Sequence, residues 1–362
     1  MQMKKICFIH PSSELYGADR ILIYVMKNYS DFKKVLILRS QGPLVALVQK
    51  ELPDVEIKII STLPIIAKKY LSLAGIFNFL IFLVSFLTKI KKIKKEKFDV
   101  VYLNTLAVLP IIFYFSKNSK KIIHIHEILK NDSLFHRIIN KIALVKSDFL
   151  VCVSKAVKKN MEFASNSNKE KLKLIYNGIN FNKTETEHLP FEINKSKTNF
   201  ALIGRIKPSH KGQNLLVDAI SKLNKKSLDS SHFYLVGSTV KGQEYMLIEL
   251  KNKIQRLKLE NNITIIPFVK NIQLVYENID VVIVPSVFDD PFPTTVLEAM
   301  FFSKPVIGTD VGGIPEMILN NKTGFIVKRN CANELSQRID YFLINKNKIF
   351  EFGEQGHIRF LS

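Results

Sequence analysis

The stretch VVIVPSVFDDPFPTTVLEAM, residues Val281 to Met300, carries the strongest indication of the fold. Its first part, Val281 to Ser286, is apolar and predicts a buried strand. The proline-bounded segment Val287 to Pro293 predicts a sharp loop, and a helix is expected to begin at Thr294 or Thr295. Such a helix, following a parallel strand, directs backbone N–H groups and its positive dipole end towards a crevice, so this stretch predicts an anion site.

Two carboxylates, Asp290 and Glu298, flank the predicted anion site. Carboxylates are poor phosphate ligands, but they accept hydrogen bonds from sugar or ribose hydroxyls whose phosphates lie at the helix end. The first hypothesis is therefore a nucleotide-sugar site. From this stretch alone a structural alternative stays open, because Thr295 and Glu298 have the S/T-x-x-E spacing of a capping box.

Short apolar runs alternate with helical patterns along the chain, which predicts an α/β fold with parallel sheets. Strands are expected at Ile6–His10, Lys34–Ser40, Val55–Ile60, Phe98–Asn104, Lys120–Ile128 and residues 199–206, 231–238 and 262–269, and a helix at Leu106–Phe115. With 362 residues, the chain exceeds the usual size of one core. We expect two Rossmann-like domains, 1–180 and 199–362, joined by the polar linker 181–198, with a catalytic cleft between them.

Positive charge is concentrated in the first half of the chain. The formal net charge is +21; residues 1–175 hold 30 Lys or Arg against 13 Asp or Glu, whereas residues 176–362 hold 23 against 19. A basic surface favours anionic lipid, nucleic acid or an acidic substrate. No aromatic-basic platform or base-reading helix motif accompanies the charge, so we do not expect a nucleic-acid partner.

The run Tyr70 to Thr88 is 19 residues without charge, and the lysine-rich segment KIKKIKKEK follows it. Its length satisfies the rule for a transmembrane helix, and the lysines would form a cytoplasmic flank. The next residues, Phe98 to Asn104, predict a strand of the same sheet, which argues against a crossing. A helix dipping into one leaflet, a buried or partner-facing helix and a true span stay open, the first being preferred. We expect a cytoplasmic protein, peripheral on the inner face of the plasma membrane.

The three cysteines, Cys7, Cys152 and Cys331, are far apart and mostly lie in apolar runs. This pattern predicts buried thiols in a reducing compartment, and neither disulfides nor a metal site. The opening apolar run, Ile6 to Ile9, is too short for an export signal, so a first strand is expected there.

Two positions in the first half lie where α/β sheets bind ligands. Gly17 follows the first strand in a turn that suits a phosphate, although one glycine also fits an ordinary loop. His126 is expected at the carboxyl end of a strand, where a lone histidine is either a ligand contact or structural. With His124 it forms a His-x-His pair, but no third ligand has suitable spacing, so no metal is expected.

Two longer motifs of the chain are similar to those of a known family. Residues 203–220 resemble a G-R-x-x-x-K-G segment through Gly204, Arg205, Lys211 and Gly212, and residues 284–327 resemble a donor-site signature. The first half matches more loosely, through YGADR, HIHE and VSKAVKKNM followed by IYNGI. Over essentially its whole length, the chain resembles the retaining GT-B glycosyltransferases of family 4.

The resemblance implies roles for the residues at matching positions. Arg205 and Lys211 would hold the donor diphosphate and offset the charge on the leaving phosphate. Glu298 would bind ribose hydroxyls, Asp290 the transferred sugar, and His126 the sugar near the reacting face. The other implied donor and acceptor contacts are Gly17, Gly204, Lys270, Ser286, Thr294 and Thr295. No metal or other cofactor is implied beyond the nucleotide-sugar co-substrate.

Three features depart from the family pattern. Asp290 stands where the first glutamate of the family's E-x7-E motif is usual, so its reach is shorter by one methylene. Pro293 replaces a glycine and removes one backbone N–H, which would leave the diphosphate contact to Thr294 and Thr295. The family commonly ends in a helix that crosses back to the first domain, and we expect that helix to be missing or shortened.

The leading hypothesis is retaining transfer of a sugar from a nucleotide diphosphate to a lipid-linked or cell-surface polysaccharide acceptor. A nucleotide-sugar epimerase of the same fold is the alternative enzyme, although it would not explain the apolar run and the basic first half. A non-catalytic saccharide-binding relative is the third alternative, favoured slightly by Asp290 and Pro293.

Overall fold

The structure is a computed structural model with two compact units. It describes residues 3–66, 84, 86–87, 96–164, 168–181 and 189–362. The first unit is Met1–Gly178 and the second is Ile179–Ser362. Each unit is described by itself below.

The first unit contains a seven-stranded parallel sheet with the order β3-β2-β1-β4-β5-β6-β7. Its strands are β1 Lys4–Ile9, β2 Phe32–Leu38, β3 Glu56–Ile59, β4 Val100–Asn104, β5 Lys120–Ile125, β6 Phe149–Cys152 and β7 Leu172–Leu174. Central strands such as β1 and β4 are almost continuously buried, which is why they consist of near-unbroken apolar runs.

Helices connect the strands of the first unit. They are α1 Gly17–Lys27, α2 Pro43–Glu51, α3 Leu134–Lys146 and α4 Lys155–Glu162, with 3-10 helices at Leu106–Tyr114 and Lys169–Lys171. The helix predicted at 106–115 is thus a 3-10 helix, and Pro110 inside it has no N–H to donate. Ser154 caps α4 by accepting a hydrogen bond from the Val157 N–H at 3.1 Å.

The second unit contains a six-stranded parallel sheet with the order β10-β9-β8-β11-β12-β13. Its strands are β8 Thr198–Ile203, β9 Ser231–Val236, β10 Ile263–Ile266, β11 Val281–Val284, β12 Val306–Thr309 and β13 Gly324–Val327. Its helices are α5 Pro208–Lys211, α6 Gln213–Ile220, α7 Lys225–Asp229, α8 Tyr245–Arg256, α9 Gln273–Asn278, α10 Thr294–Phe301, α11 Ile314–Met317, α12 Ala332–Ile344 and α13 Asn347–Leu361.

Both sheets follow the doubly wound order, in which the direction of strand addition reverses beside the first strand of each unit. The reversal lies between β1 and β4 in the first sheet and between β8 and β11 in the second. At such a point the loops leave the sheet in opposite directions and open a crevice at the carboxyl ends of the strands. The topology therefore gives each unit one favoured ligand position.

Two sequence predictions need correction. The strand predicted at Lys120–Ile128 ends at Ile125, so His126 lies just beyond the sheet. The predicted linker overlaps β8 by one residue, Thr198, and its residues 182–188 lie outside the described part of the chain. At the start of the linker, Phe181 packs against Phe302 with ring centroids 4.9 Å apart, so its aromatic side chain belongs to the second unit.

The apolar run Tyr70 to Thr88 lies almost entirely outside the described residues, and so do lysines 89 to 95. The preferred interpretation of this run as a helix dipping into a membrane stays a prediction. Across the described part of the chain, the helices are too short or too polar to cross a bilayer.

Candidate active site

The segments that follow β8 and β11 carry charged residues and bring two of them, Lys211 and Asp290, into contact. Gly204 and Arg205 directly follow β8, and Ser286 lies two residues beyond β11. Because β8 and β11 are hydrogen-bonded neighbours at the reversal of strand order, these loops flank the favoured ligand position. The term "charged edge" is used below for Arg205, Lys211, Asp290 and Glu298.

Lys211 and Asp290 form an ion pair within the charged edge. The Lys211 Nζ donates a hydrogen bond to Asp290 Oδ2 at 2.5 Å. The side chains are 35% and 14% exposed, so the pair remains open to solvent on the lysine side. A charge-assisted pair of this kind holds the ammonium at a fixed position while leaving two of its three N–H donors for other acceptors.

Three glycines allow the loops around the charged edge to approach each other closely. A Cβ on Gly212 (φ +81°) would lie 1.8 Å from the Pro285 carbonyl oxygen, and one on Gly312 (φ +56°) would lie 2.0 Å from the Asp290 carbonyl oxygen. A Cβ on Gly237 (φ +148°) would likewise lie 2.0 Å from the Gly204 carbonyl oxygen. Gly212 therefore fixes the Lys211 backbone directly against the end of β11, and Gly312 fixes the Asp290 backbone.

Glu298 is held from outside its own helix. It lies in the second turn of α10, is 6% exposed, and its Oε2 accepts a hydrogen bond from the Tyr276 hydroxyl at 2.7 Å. The helix begins at Thr294 with Pro293 as N-cap and without a side-chain capping bond. Thr295 therefore lies inside the helix, and the capping-box interpretation of Thr295 and Glu298 is wrong.

Two buried polar side chains lie behind the charged edge. Gln213 is 1% exposed, and its Nε2 donates to the carbonyl of Arg205 at 2.9 Å. Ser286 is 1% exposed, and its carbonyl accepts from Thr309 Oγ1 at 2.6 Å. These bonds fix the backbone of the loops that follow β8 and β11, because an unpaired buried carbonyl would be costly.

The remaining residues predicted to bind the donor differ in exposure and in position along the sheet. Thr294 and Thr295 form the partly exposed first turn of α10. Their position leaves their N–H groups at the positive end of the helix. Lys270 is exposed beyond the end of β10, at the edge of the sheet, whereas Ser286 is at its centre. The second unit thus brings most of the predicted donor residues to one edge, with Lys270 at its periphery.

The corresponding edge of the first unit, called the "neutral edge" below because His126 is uncharged, carries a chain of hydrogen-bonded side chains that ends on Asp19. His126 Nε2 lies 3.1 Å from Asn104 Oδ1, Asn104 Nδ2 lies 3.0 Å from His10 Nδ1, and His10 Nε2 lies 2.8 Å from Asp19 Oδ1. Asn104 Nδ2 also donates to the carbonyl of Ala18, which fixes the amide with Oδ1 towards His126. His126 Nε2 therefore carries the proton, and its Nδ1 is left as an acceptor.

Burial keeps His126 and its neighbour His124 from gaining a proton easily. Burial lowers the pKa of His126 well below its usual value, and His124 and His10 add to the effect. The ring of His124 lies 4.0 Å from that of His126, and burial lowers the pKa of His124 to about 3. Both side chains are expected to stay neutral at physiological pH, so His126 offers hydrogen bonds and no charge.

Glu127 stabilises an unusual backbone conformation beside His126. Thr105, directly after β4, has φ +103°, which a β-branched residue rarely adopts. Glu127 Oε2 accepts hydrogen bonds from the N–H groups of Leu106 and His126, at 3.2 and 3.1 Å. Burial raises the pKa of Glu127 although these bonds oppose the shift. The side chain thus joins the loops that follow β4 and β5.

Gly17, predicted to line a phosphate turn, is the first residue of α1. The preceding Tyr16 N–H donates to Asp19 Oδ2 at 2.9 Å, while Asp19 Oδ1 faces His10. Asp19 thereby connects the start of α1 to the neutral edge, although it is only 2% exposed. In the described residues, His, Cys, Asp and Glu form no group of three that could hold a metal ion.

Several residues of these edges were missed from the sequence. Tyr276, Gln213, Asn104 and Asp19 act through other residues, and their partners lie far away in the chain or in another element. Asn104 carried a usable signal, since it is a polar residue at the end of a buried strand. Tyr276 carried none, because an aromatic residue in a short helix usually indicates core packing.

Comparison with protein families assigns both halves of the chain. Residues 183–359 match the profile of the family described as glycosyl transferases group 1, and residues 45–183 match that of glycosyltransferase family 4. The two matches together span most of the chain, and the first includes all four residues of the charged edge.

Related sequences agree with this assignment. An uncharacterized glycosyltransferase of Methanocaldococcus jannaschii is 31% identical over 233 residues, which is 63% of this chain and 59% of that protein. The capsular polysaccharide biosynthesis glycosyltransferase CapM of Staphylococcus aureus is 24% identical over 237 residues, covering 61% of this chain and 59% of CapM. The chain therefore aligns with about three-fifths of the length of these two relatives.

A solved structure shows the same fold over nearly the entire chain. Anabaena HepE, crystallised with UDP and glucose, superposes with a TM-score of 0.79 at 22% identity, covering 99% of this chain and 94% of HepE. At that identity the likeness establishes the fold and nothing beyond it. Together with the two profile matches, it shows that the chain belongs to the group 1 glycosyltransferases and has the GT-B fold.

Proposed function

We propose that the chain is a retaining glycosyltransferase that moves a sugar from a nucleoside diphosphate to a saccharide hydroxyl. The observation that carries the proposal is the Lys211–Asp290 ion pair at the point where strand order reverses in the second sheet. A solvent-open ammonium beside a helix N-terminus suits a diphosphate, because both supply positive potential without a metal. Family membership supports the same reaction class.

The reaction requires charge stabilisation at the leaving group. The bond between the anomeric carbon and the diphosphate breaks, a bond from the acceptor oxygen to that carbon forms, and the hydroxyl proton is released. Negative charge grows on the leaving phosphate, where Arg205 and Lys211 would offset it. The first turn of α10, with Thr294 and Thr295, would add backbone N–H donors for the same phosphates.

Carboxylates and imidazole would orient the sugars. Glu298, fixed by Tyr276, would accept hydrogen bonds from the ribose hydroxyls. Asp290 would bind a hydroxyl of the transferred sugar while it remains paired with Lys211. One carboxylate would thus contact both the sugar and the phosphate-binding lysine. His126, neutral and with Nδ1 as acceptor, would receive a hydroxyl hydrogen bond instead of acting as an acid.

Names of similar proteins suggest the substrates. HepE structures hold UDP, glucose and UDP-glucose, so a uridine diphosphate sugar is the first donor to test. CapM is named for capsular polysaccharide biosynthesis, which favours a lipid-linked or cell-surface polysaccharide acceptor. Such acceptors reside at a membrane, in keeping with the basic first half and with the run 70–88. We accordingly propose a cytoplasmic enzyme peripheral on the inner face of the plasma membrane.

A donor screen with product analysis tests the proposal. The full-length protein would be incubated with UDP, GDP and ADP sugars, with and without saccharide acceptors, and the products followed by NMR. Transfer, or slow donor hydrolysis, that disappears in Glu298→Ala is expected, with the product keeping the donor's anomeric configuration. Net epimer formation without acceptor would make the protein an epimerase, inversion would refute retention, and donor binding without turnover would indicate a non-catalytic saccharide binder.

A further inference from the structure

The outward face of helix α3 is apolar where an ordinary surface helix is polar. Leu134, Phe135, Ile138 and Val145 are 67%, 41%, 47% and 52% exposed. The positions 134, 138 and 145 are spaced by four and seven residues, so these side chains lie along one side of the helix. Scattered exposed apolar residues are normal, but a contiguous stripe marks a contact surface.

Basic residues flank this stripe and helix α3 itself contains no acid, while the exposed Asp132 lies just before the helix, 3.7 Å from His136. Its sequence LFHRIINKIALVK includes Arg137, Lys141 and Lys146, all exposed. Lys146 Nζ lies 5.6 Å from the ring centroid of Phe113, whose side chain is 55% exposed on the neighbouring 3-10 helix. The "α3 surface" is defined here as the four exposed apolar residues of α3, these three cations and Phe113.

The opposite face of α3 holds the helix in place without help from the α3 surface. Ile139, Asn140, Ala143 and Leu144 are buried. The Asn140 Nδ2 donates to the Leu129 carbonyl at 2.9 Å, and Ser133 caps the first turn by accepting from the His136 N–H at 3.1 Å. The exposed side chains are therefore available for a partner and are not needed to anchor the helix.

We propose that the α3 surface lies on an anionic lipid bilayer, with its apolar stripe at the acyl boundary and its cations among the headgroups. This pattern of apolar face, flanking Lys and Arg, and absent acids is what an interfacial helix requires. A second copy of the chain fits less well, because a two-fold contact would bring Arg137, Lys141 and Lys146 against their own counterparts, with Asp132 as the one nearby acid in each copy and none within the helix. The α3 surface would hold the enzyme at the membrane where the proposed function places it. The proposal rests on that function only for the lipid-linked acceptor.

Vesicle flotation tests the apolar stripe. The full-length protein would be mixed with vesicles of phosphatidylcholine and phosphatidylglycerol, and the partition coefficient compared with that of Leu134→Ser/Phe135→Ser/Ile138→Ser. We expect a loss of about a thousandfold, since each of the three large apolar side chains withdrawn from water contributes on the order of tenfold. Ile344→Ser/Phe350→Ser is the matched control, because these side chains are 80% and 73% exposed in the second unit. The control should bind as the unaltered protein does.

A second set of variants tests the cations without touching the apolar residues. Arg137→Gln/Lys141→Gln/Lys146→Gln should lower the partition coefficient on the same vesicles by roughly a hundredfold and have little effect on pure phosphatidylcholine. Lys222→Gln/Lys225→Gln/Lys226→Gln removes three exposed lysines from the second unit and should leave binding unchanged. Circular dichroism of each variant verifies that the fold persists.

Three results would overturn the proposal. The unaltered protein could fail to float, both α3 variants could float as well as it does, or sedimentation could show a dimer that the α3 variants dissociate while flotation is unaffected. Turnover of a water-soluble donor separates this proposal from the proposed function. A protein that floats through the α3 surface but turns over no donor would refute only the transferase, and the reverse result would refute only the α3 surface.

Discussion

The two sheets share the doubly wound pattern of strand order, but the side chains at their carboxyl edges differ in charge. In the second unit the edge carries Arg205, Lys211, Asp290 and Glu298, with the Lys211–Asp290 pair open to solvent. In the first unit the same position carries His10, Asn104 and His126, linked by hydrogen bonds that end on the buried Asp19. Under the proposed function, the fold gives each unit one favoured ligand position, and the residues after each strand would select the ligand: a phosphate ester at the charged edge and a neutral hydroxyl at the other.

The largest expected effect comes from removing the lysine of the charged edge. Lys211→Ala should lower kcat/KM for the nucleotide sugar by about a hundred- to a thousandfold, because charge on the leaving phosphate would lose a fixed cation. Steady-state donor hydrolysis measures this. Lys253→Ala is the control, since Lys253 forms an ion pair with Asp218 (Nζ to Oδ2, 2.7 Å) and neither residue belongs to the charged edge. A similar loss in both variants would mean that ion pairs matter here for stability only.

A second prediction concerns how the charged edge is built. Gly212→Ala should lower the free energy of unfolding by about 3 kcal/mol or more, because its Cβ meets the Pro285 carbonyl in addition to the cost of a left-handed backbone. Gly242→Ala has the same backbone cost at φ +84°, with nothing within 4 Å, so about 1 kcal/mol is expected. Urea unfolding of both proteins gives the difference. Equal losses in the two variants would show that the close approach of Gly212 to the Pro285 carbonyl does not affect the free energy of unfolding.

The neutral edge should respond to loss of its central amide. Asn104→Ala removes the acceptor that fixes His126 and the donor to His10, so kcat/KM with acceptor should fall by about tenfold while donor affinity changes little. Acceptor and donor titrations separate the two effects. Asn140→Ala, which removes another buried amide of the first unit, is the control for stability. A fall in donor affinity as large as the fall in acceptor turnover would remove the distinction between the edges.

The last prediction concerns how the free energy of unfolding changes with pH. An unfolded histidine gains a proton below about pH 6.5, whereas buried His124 stays neutral down to about pH 3. The unfolded chain thus binds more protons in this window, so stability is complete above pH 6.5 and falls with acidification by about 1.4 kcal/mol per pH unit. Urea unfolding at several pH values measures the slope, and His124→Asn should reduce it. An unchanged slope would show that His124 does not titrate on unfolding.

The fold and the charged edge could largely be predicted from the sequence. Apolar runs separated by helical patterns indicated parallel strands, and the resemblance to a family motif indicated Gly204, Arg205, Lys211 and Gly212. Such signals are local, so they survive in a single sequence. Local patterns failed where two structures share one spacing: Thr295 and Glu298 fit a capping box, but the N-cap of the helix is Pro293, two residues before Thr295.

Long-range contacts could not be predicted. Tyr276 reaches Glu298 across 22 residues, and His10 meets Asn104 across 94, because neighbouring strands bring their ends together. The sequence shows such residues as an aromatic in a helix and an amide after a strand, each with an ordinary structural role. Thr105 is a further case, since nothing in its neighbours indicates a φ of +103°.

Calorimetric titration with UDP, followed by GDP and ADP if UDP does not bind, tests the contrast between the edges most directly. The full-length protein would be compared with Lys211→Ala and with His126→Ala under the same conditions. The predicted result is binding that Lys211→Ala weakens by at least tenfold and that His126→Ala leaves within about twofold. Binding that His126→Ala abolishes and Lys211→Ala leaves unchanged would place the diphosphate at the neutral edge and contradict the assignment.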